Sequence, residues 1–169
     1  MLHESKVFSE NKFFPDSYLN YAENLLRKND KDPAIIFKSE NSYKTVLSWQ
    51  DLNSKVAKVS HWLKLNGLKK GDRVAAYLPN IPETVTAYLS TSVLGAIWSS
   101  CSPDFGTTGL IDRFSQISPK ILFIGDKYFY NGKKINILER LPEIVKKIPS
   151  IKKVIVIRYP GTCLLYTSD

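Results

Sequence analysis

Cysteine, histidine and methionine are scarce: among 169 residues there are two Cys, two His and one Met. Cys101 and Cys163 stand far apart, and neither His3 nor His61 has a partner at ligand spacing, so no zinc or iron–sulfur motif can be written on this chain. The same count excludes a disulfide framework. No apolar leader opens the chain, and a reduced, cytoplasmic setting is expected. Long hydrophobic runs are missing too, which excludes a membrane-spanning helix. A Walker sequence is absent, because Gly132-Lys133 has neither the upstream glycine at the right spacing nor a following Ser or Thr, and there is no dinucleotide fingerprint.

What is present is ordinary globular material, 43% hydrophobic, enough for one core. The net charge is +8. That would suit a nucleic-acid binder, but Lys55, Lys58, Lys64, Lys146 and Lys152 fall on helix faces and turns rather than on one stripe, and no nucleic-acid-binding signature accompanies them. A solvated surface and no nucleic-acid partner are expected, with small anionic ligands still open.

The clearest organisation runs from Gly71 to Gly109. Val74 to Leu78 is a short apolar strand stopped by Pro79. Asn80 with Glu83 three residues on predicts a capped helix from Ile81 to Leu94, with Pro82 in its first turn, where the missing N–H has no helical acceptor. Gly95 closes that helix, and Ala96 to Ser100 predicts a second strand. A helix-length crossover between two strands means a parallel pair. Ser102-Pro103-Asp104-Phe105-Gly106 then forms a turn at the carboxyl end of the second strand, where open α/β sheets place ligands.

Before this unit, Leu19 to Leu26 predicts a short helix with Leu19, Ala22, Leu25 and Leu26 on one side. Ala34 to Phe37 and Tyr43 to Val46 predict a hairpin at the sheet edge. Ser48 and Asp51 cap a helix carrying Trp49, Leu52, Val56, Val59 and Leu63 at helical spacing, ended by Gly67; His61 lies off that stripe and reads as an exposed helical histidine. After it, Thr108 to Ile117 is a helix stopped by Pro119, and Ile121 to Ile124 a buried strand. Gly125 to Lys133 reads as a loop leading into helical sequence from Ile135, which Pro142 kinks or restarts. Val154 to Ile157 is a last strand. The alternation predicts the α/β class, a doubly wound parallel sheet flanked by helices.

The stretches FPDSYLNYAENLL, GDRVAAYLPNIPE, GAIWSSCSPDFG, IDRFSQISPK and YFYNGKK together resemble the N-terminal part of the acetoacetyl-CoA synthetases, within the adenylate-forming superfamily of acyl-CoA synthetases and luciferases. The likeness runs from Phe14 to about Tyr159, and Trp98 to Gly106 is its most specific part. It implies the large N-terminal domain of the adenylate-forming fold. The division expected is a truncated N-terminal segment over 1–33, an α/β portion over 34–160 and a non-native tail over 161–169, whose CLLYTS resembles translated adaptor. The activity implied is that of an acid–thiol ligase acting on acetoacetate, ATP, Mg and CoA; a ligase for another short acid and a non-catalytic nucleotide- or protein-binding module are the alternatives. The family's phosphate loop, Ser/Thr/Gly-rich and ending in Pro-Lys, is not found: Gly106-Thr107-Thr108-Gly109 is followed by Leu110-Ile111. The expectation is an inactive N-terminal piece with no catalytic residue of its own.

By the same resemblance, Ser102, Pro103, Asp104, Tyr130 and Lys133 lie at the nucleotide end of CoA. Lys133 keeps the family's charge, as a phosphate contact or an exposed loop lysine. Tyr130 does not, and would stack on adenine or simply pack. Cys101 reads as a small buried residue at a strand end rather than a nucleophile, because no histidine is near it in sequence.

Overall fold

The computed structural model describes residues 2–160; the tail expected to be foreign, Gly161 to Asp169, lies outside them. The strands are β1 (Leu2–His3), β2 (Lys12–Phe13), β3 (Pro33–Lys38), β4 (Lys44–Ser48), β5 (Arg73–Tyr77), β6 (Ile97–Cys101), β7 (Ile121–Gly125), β8 (Lys127–Tyr130), β9 (Lys133–Asn136) and β10 (Lys153–Ile157). The α-helices are α1 (Tyr21–Leu25), α2 (Trp49–Leu65), α3 (Pro82–Val93), α4 (Thr107–Ile117) and α5 (Leu141–Lys147).

Four parallel strands form the main sheet in the order β10-β7-β5-β6. Strand β5 shows why the sequence reads as a continuous apolar run. Its side chains alternate, Val74 and Ala76 facing Leu63 of α2 and Ala87 of α3, while Ala75 and Tyr77 face Leu110 and Phe114 of α4 and Ile144 of α5. Both faces are covered by helices, so neither may be polar. In β7 all five residues are buried. The chain leaves β5 through α3 to β6 on one side, then crosses through α4 to β7 on the other, and this reversal makes the sheet doubly wound. The carboxyl ends of β5 and β7 therefore border the crevice where such sheets take ligands.

Several expectations need correction. The β3–β4 hairpin forms where expected, but as a separate two-stranded sheet, because Ala34 and Ile35 pack on a cluster of Ala22, Leu52, Val56 and Leu89 from the helices. Asn80 does not cap α3. The cap falls one residue later, on Ile81, which offers no side-chain hydrogen bond, while the Thr84 hydroxyl donates to the carbonyl of Pro79. Glu83, freed from capping, leaves its Oε2 buried without a hydrogen-bond partner beside a groove of about 470 Å³ lined by Val59, Trp62, Ala87 and Ile155. Helix α1 buries Ala22 fully, yet Leu19 is largely exposed.

The largest departure follows β7. Residues 127–136 are a β-hairpin, β8 paired antiparallel to β9, rather than a loop running into helix. Asn131 and Gly132 both have positive φ, 50° and 71°, as a tight two-residue hairpin turn requires, and Asn-Gly is the pair that tolerates it. The helix is confined to a 3₁₀ turn at Leu138–Arg140 and to α5, in which Pro142 stands at the start. The Ser48–Asp51 capping box of α2 forms as predicted: the Ser48 hydroxyl accepts from the Asp51 amide, and the Asp51 carboxylate accepts from the Ser48 amide.

Candidate functional site

The carboxyl ends of the parallel strands carry the candidate site, and its geometry starts from close approach of two loops. Gly125 ends β7, and a Cβ there would lie 3.2 Å from Ile137 Cδ1 and 3.3 Å from Pro79 Cδ, so the segments after β5 and β7 approach closely and a larger residue would have to push these side chains aside by a few tenths of an ångström. Asp126 then joins three pieces of chain. Its amide donates to Ile157 O, its carbonyl accepts from the Ile137 amide, and its carboxylate accepts from the Tyr159 amide at 2.8 Å.

Around this junction opens a cleft of about 290 Å³. Its walls come from Phe37 and Lys38 of β3, Asn80 after β5, Ser102 to Asp104 after β6, Tyr128 to Tyr130 of β8, and Tyr159 after β10. The hairpins are tied across it, since the Gly132 amide donates to the Glu40 carboxylate at 3.3 Å. Aromatic rings dominate; Phe129 and Tyr159 meet edge to face with centroids 5.3 Å apart. Lys38 is the one cation among its lining residues, while Glu40 and Asp104 bring negative charge.

Of the residues singled out by sequence, Ser102, Pro103, Asp104 and Tyr130 come together in this cleft, and Lys133 does not line it. Lys133 stands opposite Tyr130 in the β8–β9 pair and is exposed. The Ser102 hydroxyl donates to the Asp104 carboxylate at 2.9 Å, a turn-stabilising bond. Burial holds the Tyr128 hydroxyl above its ordinary value, and the neighbouring Asp104 carboxylate adds to that. Cys101 is buried, and burial pushes its thiol up while the Arg113 guanidinium opposes, so the reactive thiolate is disfavoured. His61 is exposed on α2.

Residues that carry no flag in the sequence also shape the site. Tyr77 ends β5 fully buried, and its hydroxyl lies 2.9 Å from the Pro103 carbonyl and 2.7 Å from that of Phe105. Arg140 donates to the same hydroxyl and to both carbonyls. A Tyr at the end of a buried strand is a weak signal, and Arg140 is 63 residues away from it. Phe37 and Tyr159 also line the cleft, from hairpin and chain end.

The donor set can be tested against an adenine nucleotide. Flat aromatic walls with Asn and Ser beside them fit a base and sugar, whereas a phosphate would find a single counter-charge among the lining residues, Lys38. For a metal ion the fit fails within the described residues, where no three His, Cys, Asp or Glu side chains come together. No helix among the described residues is long and apolar enough to cross a membrane.

The strand order of this parallel sheet reverses and a cleft lies over its carboxyl end, where such α/β folds place small-molecule ligands, and comparison with known proteins gives the class. The family model for AMP-binding enzymes matches residues 22–167, and the chain belongs to that family. Within it the similarity is to acetoacetyl-CoA synthetases. The chain is 43% identical over 150 residues to the acetoacetyl-coenzyme A synthetase of Rhizobium meliloti (strain 1021), covering 89% of this chain and 23% of that protein. For the acetoacetyl-CoA synthetase of Gallus gallus the identity is 45% over 150 residues, with 88% and 22% covered. A solved structure, acetoacetyl-CoA synthetase from Streptomyces lividans, superposes with a TM-score of 0.84 at 38% identity over 90% of this chain and 24% of that one. The adenylate-forming fold expected from sequence is thereby established. The chain spans less than a quarter of the length of these relatives.

Proposed function

We propose that this chain supplies the N-terminal, CoA-facing part of an acetoacetate–CoA ligase. The observation that carries the reading is the cleft itself: the Ser102–Asp104 turn, specific to the branch that the sequence resembles, meets Tyr130 over the switch point of the sheet. In the overall reaction acetoacetate and ATP give an acyl-adenylate and pyrophosphate, and the CoA thiol then displaces AMP; CoA contributes the thiol nucleophile, and Mg belongs to the ATP half of the reaction. The chain's own residues bind and orient. Tyr130 and Tyr128 present rings to the base, Ser102 and Asn80 offer hydrogen bonds, and Lys38 and Lys133 stand at the rim for phosphate.

Orientation of this kind accelerates transfer without touching the reacting atoms, because fixing a remote nucleotide lowers the entropy lost when the thiol meets the adenylate. No group here acts as acid, base or nucleophile. The substrate acid is read from the similarity alone, and a relative such as the malonamoyl-CoA synthetase of Penicillium aethiopicum, 36% identical over 152 residues, makes a different acid the obvious competitor.

The test is a chimera in which these residues replace the matching segment of the Streptomyces lividans enzyme. Acetoacetate-dependent AMP formation with CoA is expected, along with ATP–pyrophosphate exchange without CoA. A folded chimera that exchanges pyrophosphate but transfers nothing to CoA would overturn the CoA assignment. One active only with another acid would overturn the substrate.

A further inference from the structure

The loop that carries Ser102 to Asp104 is held by a bond network whose members are far apart in sequence. The Arg140 Nη1 has two hydrogens and the Tyr77 hydroxyl has one. Three acceptors lie within reach: the Tyr77 oxygen itself, Pro103 O at 2.9 Å from that oxygen, and Phe105 O at 2.7 Å from it. From Arg140 the two carbonyls are 3.2 and 3.1 Å away. Two distributions, differing only in which carbonyl each donor takes, satisfy all of them. Arg140 gives one hydrogen to the hydroxyl and one to a carbonyl, and Tyr77 gives its own to the other carbonyl. Arg140 removed leaves a loop carbonyl short, because Tyr77, fully buried, has one hydrogen for two carbonyls, whereas without the Tyr77 hydroxyl the two Arg140 hydrogens can still serve both.

The site has a second brace that this network does not share. The Phe105 ring lies under the Arg113 guanidinium, 4.5 Å from its centroid, which holds the side chain but leaves the backbone of residues 102–105 to the carbonyl contacts. Arg140 also stands 5.8 Å from the Tyr77 ring, so its position is fixed from the aromatic face as well. Its 3₁₀ turn follows directly after β9, on the same hairpin that brings Tyr130 to the cleft. Arg140 therefore links the two walls of the cleft, alongside the contact between the Tyr128 hydroxyl and the Asp104 carboxylate.

We infer that Arg140 is a positioning residue: together with Tyr77 it fixes the Pro103 and Phe105 carbonyls and thereby aims the Ser102–Asp104 turn at the cleft. The inference rests on the reading of that cleft as CoA-facing only for its functional consequence; the structural part stands alone.

Two readouts separate these parts. Hydrogen exchange of the 169-residue chain reports the turn directly, since the Phe105 amide donates to Ser102 O at 3.1 Å and loses protection when the turn opens. In Arg140→Met, exchange over 102–106 should rise at least fivefold while β7 remains protected as in the parent, and in Tyr77→Phe it should rise less, because Arg140 can still donate to both carbonyls. Ser48→Ala, at the distant start of α2, serves as the control, lowering the thermal midpoint without local acceleration at the turn. In the chimera, Arg140→Met should raise the KM for CoA severalfold and leave ATP–pyrophosphate exchange unchanged. Unaltered exchange at 102–106 in a folded Arg140→Met chain overturns the inference. Uniform loss of protection across the sheet does so as well, because Arg140 would then be a general stabiliser. Local opening without any change in CoA KM keeps the positioning role and removes the CoA reading.

Discussion

At the scale of single residues, position decides more than charge. Lys133 keeps the family's positive charge, yet it is exposed and outside the cleft lining, so any phosphate contact it makes is screened by solvent. Tyr130 lacks the charge and is itself 62% exposed, but it lines the cleft. Stacking on a base is worth about 1–3 kcal/mol, whereas an exposed ion pair contributes roughly 0–1 kcal/mol. In the chimera, Tyr130→Ala should therefore raise the CoA KM about tenfold and Lys133→Ala at most about fivefold, with adenylation unaffected in both. Steady-state kinetics with CoA and dephospho-CoA check this ranking. A larger effect from Lys133, and one lost with dephospho-CoA, would show that a phosphate contact carries the affinity.

Among elements, those with a complete local code are legible in the amino-acid sequence alone. The βαβ unit, the capped α2 and strands β7 and β10 each combine a hydrophobic period with a stop or a cap, and they form within a residue or two of the positions that these signals mark. The failures have physical reasons. Asn80 followed by Glu83 carries the capping spacing, but Pro82 sets the first helical turn, and the cap falls on Ile81. The β8–β9 hairpin is masked because the apolar period downstream of KYFYNGKKIN is helical, although the Asn-Gly turn within it is a hairpin signal. Of the site, the Ser102–Asp104 turn is readable from its place after a strand and Tyr130 from resemblance. Arg140 is not, since nothing local links it to Tyr77.

Asn20 offers a test at this scale. Its carboxamide oxygen accepts from the Ala22 and Glu23 amides at 3.0 and 3.1 Å, capping α1, while its nitrogen donates to the Ser92 and Val93 carbonyls at 2.9 and 3.2 Å, at the end of α3. One side chain thus satisfies the free ends of two helices. Asn20→Asp keeps the cap but sets a carboxylate against carbonyls; Asn20→Ala loses both ends. Losses of about 1 kcal/mol for a cap and a further ~1 kcal/mol for the other bonds are expected for Ala, measured by denaturant unfolding. Asn20→Ser, which can restore only the cap, should recover about half of the loss. Full recovery would mean that the α3 contacts contribute nothing.

For the molecule as a whole, the sheet separates its two ends by role. The amino ends of the strands are closed by structural polar contacts: Lys120 Nζ stands 3.0 Å from the Asp72 carboxylate and also donates to Gly67 O, while Arg73 donates to Ile117 O. At the carboxyl ends, Gly106 starts α4 without a side-chain cap, and Thr107 and Thr108 belong to the helix rather than to a phosphate-cradling loop. The Gly106–Gly109 stretch is therefore not placed to cradle the ATP phosphates. The 169-residue chain by itself should form no acetoacetyl-CoA from acetoacetate, ATP and CoA. It should also catalyse no ATP–pyrophosphate exchange, since adenylation needs the phosphates held in line against developing charge. It should still bind the nucleotide end of CoA, so titration with 3′,5′-ADP ought to protect residues 102–106 and 128–130 from hydrogen exchange. Exchange activity above a no-protein control would mean that the phosphate-handling groups lie within these residues after all, and absence of protection would place the CoA site elsewhere.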